Sequence, residues 1–216
     1  MAIESGSYDP ATGIWSWCRP PAQAPRPALF LDRDGVLVEE TGYLCRAADT
    51  VMIDGAARVV AAANRSGIAV VVVTNQAGIG RGYYDWAGFL EVETRIAARL
   101  AGEGAALDGL FACPFHPDGI GEFRHPGHPA RKPRPGMLLE AAARLNLQLG
   151  RSWIAGDHGT DLSAGAAAGL RGGIHVLSGH GRVHREAAEN LRASGFQVLL
   201  ADSIAGVLPL LPRLFP

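Results

Sequence analysis

Residues 28–216 predict an α/β fold, a central parallel sheet flanked by helices. Two observations lead there. Short apolar runs alternate with longer amphipathic stretches that carry helix start and stop signals. One of the runs, "IAVVVVT" at 68–74, is continuously β-branched, as a strand covered on both faces has to be. Strands separated by helices in this way join through right-handed crossovers into a parallel sheet.

The elements follow in order. "ALFL" (28–31) is the first strand, and a helix over 56–66 stops at Gly67. After 68–74 comes a helix over 85–102, then "GLFAC" (109–113). Pro135 suits the first turn of a helix over 135–145, which precedes "WIAG" (153–156). Helices over 160–168, 184–193 and 203–211 alternate with "GIHVL" (173–177) and "FQVLL" (196–200). One long irregular stretch remains, 113–134, and loops of that length in compact domains usually carry function or lack order. Residues 1–27 hold five prolines and read as an extended, proline-rich N-terminal arm, with Trp15 and Trp17 implying that part of it packs down.

Composition sets the expectations for partners and location. The chain has 216 residues, 48% hydrophobic and 19% charged, with a net charge of −1, so its overall charge points to neither a nucleic-acid footprint nor a polybasic membrane patch, although a local basic pocket can hide in a balanced total. No apolar stretch approaches the roughly 20 residues that span a bilayer. Three scattered cysteines, Cys18, Cys45 and Cys113, argue against a disulfide framework. The first residues lack the basic start and apolar core of a signal peptide, so the expected location is cytoplasmic.

The chemistry sits at the strand ends, where a parallel sheet binds its ligands. The first strand runs into Asp32-Arg33-Asp34-Gly35 and the second into Thr74-Asn75-Gln76. Arg131-Lys132 precedes the fourth strand, which runs into Gly156-Asp157 with Asp161 beyond. Carboxylates crowded together raise one another's pKa values unless a cation compensates them. Mg²⁺, which favours oxygen ligands and keeps waters for a phosphate, resolves that conflict, and Lys132 would neutralise phosphoryl oxygens.

In order and spacing, Asp32-x-Asp34, Thr74, Lys132 and Gly156-Asp157-x-x-x-Asp161 resemble the four motifs of the haloacid-dehalogenase (HAD) superfamily, over residues 28 to about 205. The resemblance implies a Rossmann-like HAD fold over 28–216. It implies Asp32 as nucleophile, forming an aspartyl-phosphate, and Asp34 as general acid and base. It places Mg²⁺ on the Asp32 side chain, the Asp34 backbone carbonyl and Asp157, with Asp161 orienting its neighbours. Thr74 and the Asn75 amide would bind the phosphoryl group. Asp34 also favours phosphate-ester hydrolysis over dehalogenation, because an alkoxide leaving group needs a proton.

Neither the 42 positions from Asp32 to Thr74 nor the 58 from Thr74 to Lys132 hold a lid, so no separate cap domain is expected. Capless members with "LDRDG", "VVVTNQAGIGRG" and "RKPRPGM" are similar to the phosphatases of D-glycero-D-manno-heptose 1,7-bisphosphate, and to those of histidinol phosphate. A small phosphorylated sugar is the expected partner, with Arg81 and Arg131 as candidates for its second phosphate or hydroxyls; a catalytically silent binding module is the weakest reading. The zinc site of that group is broken here, since Phe115 replaces its histidine and His128 and Ala130 its later cysteines. Cys113, His116, His125 and His128 form a possible replacement set; without zinc, the prolines and the packing of Phe115 and Phe123 would brace the loop.

Overall fold

The computed structural model describes residues 3–194 and 196–216. Among these, eight strands form one sheet: β1 (Ser7–Asp9), β2 (Ile14–Cys18), β3 (Ala28–Leu31), β4 (Ala69–Asn75), β5 (Gly109–Cys113), β6 (Trp153–Gly156), β7 (Gly172–Val176) and β8 (Gln197–Ala201). Their spatial order is β1-β2-β5-β4-β3-β6-β7-β8, and every pairing from β5 to β8 is parallel. The chain first winds from β3 out to β5, then returns to the other side of β3 and winds out to β8. This reversal opens a crevice beyond the carboxyl ends of β3 and β6.

Among the described residues seven α-helices accompany the strands: α1 (Ala56–Arg65), α2 (Ala77–Gly80), α3 (Trp86–Gly102), α4 (Gly136–Leu145), α5 (Gly159–Ala167), α6 (Gly181–Glu189) and α7 (Leu211–Leu214). Alternate residues of each strand feed opposite layers. Leu29, Leu31, Val70 and Val72 pack with α1 and α3 on one face, while Phe30, Val71 and Val73 pack with α4 and α5 on the other. No cap interrupts this three-layer body between Asp32 and Lys132 among the described residues.

The N-terminal segment differs from the extended arm expected of residues 1–27. Residues 7–18 form a hairpin, and β2 pairs antiparallel with β5, Trp15 opposite Ala112. Trp15 and Trp17 are buried, and Trp15 stacks on Trp86 of α3 with ring centroids 6.2 Å apart. Only the proline-rich stretch after Cys18 links this hairpin to β3 without a strand. At the other end, Pro209 lacks an amide hydrogen to donate. The helix expected over 203–211 is a 3₁₀ segment, Ile204–Leu210, running into α7. The helix expected over 184–193 begins earlier, at Gly181, and gives way to a 3₁₀ turn from Asn190. No helix of the described residues is long and apolar enough to cross a membrane.

Candidate active site

Lys132 organises the crevice. Its Nζ lies 2.9 Å from Asp32 Oδ1 and 2.6 Å from Asp161 Oδ1, and it donates to the Val73 carbonyl at 2.8 Å. The Asn75 side chain fixes the backbone of Lys132 by accepting from its amide and donating to its carbonyl, both at 3.1 Å. Asn75 therefore uses its side chain on the lysine, at the end of β4. The peptide bond from Lys132 to Pro133 is cis.

Asp161 lies in the first turn of α5, where its Oδ2 accepts from the His158 amide at 3.0 Å. Gly156 makes room for it, since a Cβ there would stand 2.3 Å from the Asp161 Cβ. Asp157 Oδ2 accepts from the His180 amide at 2.8 Å. Gly35 and Gly179, both with positive φ, face each other across this carboxylate, and a Cβ on either would come within 2.3 Å of Asp157 Oδ2.

Carboxylate oxygens of Asp32, Asp157 and Asp161 lie within 4.8 Å of one another, and one ammonium opposes these three charges. Burial, then Asp161, pushes the Asp32 carboxyl well above its usual range, against the pull of Lys132. The same two causes push Asp157 up to about 6. Burial alone would lower Lys132, but Asp161 and Asp32 carry it above its ordinary value. An all-oxygen donor set short of positive charge fits a hard divalent cation such as Mg²⁺.

The second aspartate of the pair faces another cation. Arg33 grips Asp34 with Nε at 3.0 Å from Oδ1 and Nη2 at 2.9 Å from Oδ2, while its Nη1 donates to Glu93 Oε1 at 3.0 Å. Burial pushes the Glu93 carboxyl up to about 7, against the attraction of Arg33. Gln76 Nε2 reaches Thr74 Oγ1 at 2.8 Å and Asp34 Oδ2 at 3.4 Å, and its Oε1 accepts from the Tyr84 hydroxyl.

These groups surround a cavity of about 230 Å³, lined among others by Asp32, Asp34, Glu40, Tyr43, Thr74, Asn75, Arg131, Lys132, Asp157, His158 and His180. Every residue expected at the catalytic centre meets here. Arg131 lines the cavity and donates to the Phe115 carbonyl at 2.9 Å. Arg81 stands behind the lining, where it contacts Asp118 at 2.9 Å, the Tyr43 hydroxyl at 3.0 Å and His116 Nδ1 at 3.3 Å. The sequence reading gave no site role to Arg33, Glu93, Gln76 or His180. Glu93 had a readable signal, since it interrupts the apolar stripe Phe89, Val92, Ile96, Leu100 of α3.

The zinc set is not assembled. Among the described residues, the only group of three or more acids, cysteines or histidines gathered at metal-binding distance is Asp32, Asp157 and Asp161. His116 is engaged with Arg81, and His128 stacks flat on Phe115 with centroids 3.7 Å apart. Cys113 is buried in the core, where the loss of solvent pushes its thiol up to about 12. Phe115 also meets Phe123 edge-on at 5.7 Å, so aromatic packing braces the loop.

The fold and the site define a phosphatase of the HAD class, and comparison with known proteins agrees. A HAD-hydrolase-like family model matches residues 129–204. The D-glycero-β-D-manno-heptose-1,7-bisphosphate 7-phosphatase of Mesorhizobium japonicum is 45% identical over 180 residues, covering 80% of this chain and 82% of that protein. Its counterpart from Vibrio cholerae is 36% identical over 183 residues, covering 84% and 94%. The crystal structure of D,D-heptose 1,7-bisphosphate phosphatase from B. bronchiseptica, complexed with magnesium and phosphate, superposes with a TM-score of 0.73 at 28% identity, covering 87% of this chain and 98% of that one. The chain belongs to the HAD-like phosphatases, in the same family as these heptose bisphosphate phosphatases.

Proposed function

We propose that the protein is a Mg²⁺-dependent phosphatase that removes the 7-phosphate of D-glycero-D-manno-heptose 1,7-bisphosphate through an aspartyl-phosphate. The observation that carries this reading is the Lys132 ammonium held between Asp32 and Asp161, at the head of a cavity that Asp34 and Thr74 also line. The relatives' substrate supplies the sugar.

Asp32 attacks phosphorus, forming a new O–P bond while the bond to the sugar oxygen breaks. The electron pair leaves with that oxygen, which takes a proton from Asp34. Water then attacks phosphorus, gives a proton to Asp34 and frees the Asp32 carboxylate. Lys132, the Thr74 hydroxyl and the Asn75 amide bind phosphoryl oxygens, and Asp161 keeps Lys132 aimed at Asp32. Mg²⁺, held by Asp32, the Asp34 carbonyl and Asp157, would offset the carboxylate charge and draw electron density from the phosphoryl group. Arg131 contacts the second phosphate or the sugar hydroxyls, and Arg81 acts through Tyr43. Three free cysteines suit a reducing cytoplasm.

Phosphate release from the heptose bisphosphate and from histidinol phosphate, measured side by side with and without Mg²⁺, tests the proposal. The heptose substrate should be strongly preferred, and chelation should abolish turnover. A preference for histidinol phosphate would overturn the substrate, and full turnover in chelator would overturn the metal.

A further inference from the structure

A second carboxylate–cation unit lies below the reacting groups, and its outer member has no part in the chemistry above. Arg33 and Glu93 are each 1% exposed. The Arg33 carbonyl accepts from the amides of Val36, Leu37 and Val38, which pins its backbone in the turn after β3. Phe89 of α3 lies 6.0 Å beneath its guanidinium. Glu93 sits on the same helix and engages Arg33 with Oε1 alone, while its buried Oε2 has no hydrogen-bond partner.

A carboxylate with one orphaned oxygen, placed in an apolar stripe, is a poor stabilising device, because an apolar side chain of similar size would pack there without that cost. Its geometric effect is specific. It takes up Nη1, so that the Nε–Nη2 edge of the guanidinium is the part presented to Asp34, in the planar two-point grip that fixes a carboxylate's orientation. We infer that Glu93 is a positioning residue for proton transfer: through Arg33, it holds the Asp34 carboxylate in line with the leaving oxygen.

This inference rests on the acid–base role proposed for Asp34, and leaving-group dependence separates the two. The p-nitrophenolate group departs without a proton, whereas phenolate and a sugar alkoxide depend on one. Glu93→Ala should lower kcat/KM, which reports the step that expels the leaving group, by about tenfold or more for phenyl phosphate and the heptose bisphosphate, a fraction of the effect typical of a general acid. It should leave kcat/KM for p-nitrophenyl phosphate nearly unchanged, whereas kcat also contains the attack of water on the aspartyl-phosphate, a step that all three substrates share and that Asp34 serves as base. Glu93→Gln, which keeps an acceptor for Nη1, should recover most of the loss. Equal losses of kcat/KM on all three substrates, or no change in a folded Glu93→Ala protein, would each overturn the inference. If the alanine variant does not fold, Glu93→Asp, which keeps the charge but withdraws the oxygen, carries the same comparison. Asp34→Asn serves as the control. If it shows no leaving-group dependence, the acid–base role itself fails; if it does while the Glu93 variants do not, only the positioning role fails.

Discussion

Lys132 and Arg33 are both buried cations, each between two carboxylates, on either side of one cavity. Lys132 is a point charge whose three contacts go to Asp32, Asp161 and the Val73 carbonyl. A point charge restrains the Asp32 carboxylate without fixing its plane. Arg33 is a planar fork that meets Asp34 along its Nε–Nη2 edge and Glu93 with Nη1. The difference shows a division of labour. On the roles proposed above, the nucleophile is restrained by a point charge shared with Asp161, whereas the proton carrier is held in a fixed orientation.

The comparison breaks most sharply at the aspartates. Asp32→Asn should reduce phosphate release on the order of 10³-fold or more whatever the leaving group, because an amide does not form the covalent intermediate. Single-turnover phosphate release checks this, and residual activity that varies with the leaving group would erase the distinction from Asp34.

Removing the lysine comes next. Lys132→Met leaves Asp32 and Asp161 buried without their cation and should destabilise the protein by about 3–5 kcal/mol near neutral pH. Because the Asp32 carboxyl is already pushed up, its protonation should relieve part of that loss in mild acid. Denaturant unfolding of both proteins at two pH values measures it, and a loss independent of pH would count against a charge origin.

A smaller effect concerns Asp157. Its carboxyl is raised from 3.8 to about 6, so between those values the folded protein holds a proton that the unfolded chain has released. The stability this contributes is fully present below 3.8 and is lost as pH rises through about 6. Mg²⁺ and protons compete for the same carboxylates, so Mg²⁺ should raise Tm by more at about pH 8 than at about pH 5. Thermal melts with and without the ion test this, and equal increments would remove Asp157 from the metal site.

The six parallel strands were legible to within a residue or two, because a strand buried on both faces writes its apolarity into consecutive positions. Most of the catalytic constellation was legible because Asp32, Asp34, Thr74, Asp157 and Asp161 end or closely follow such strands, while Lys132, in the long stretch between β5 and β6, was legible from its place in the order of the motifs. The hairpin was not, because β2 gains its place by pairing with β5, about ninety residues onward, and prolines in the link obscured it. The possible zinc set misled for a related reason. Spacing permits Cys113, His116, His125 and His128 to converge, but His128 stacks on Phe115 and His116 meets Arg81.

What the chain determined by itself, then, is the order of strands and helices, the motif residues at their ends, and through them the class of reaction. These follow from local periodicity and from offsets of a few residues. Tertiary structure alone decided that Asp34 is gripped by Arg33 and Arg33 in turn by Glu93, that the Arg81 side chain meets Tyr43 at the cavity's edge, and that the loop closes on aromatic rings. Apart from the grip of Arg33 on its neighbour Asp34, each of these contacts joins residues distant in sequence or selects among several partners that spacing equally allows. Burial then fixes the outcome, because a charged or polar group removed from water must find the partner that is there.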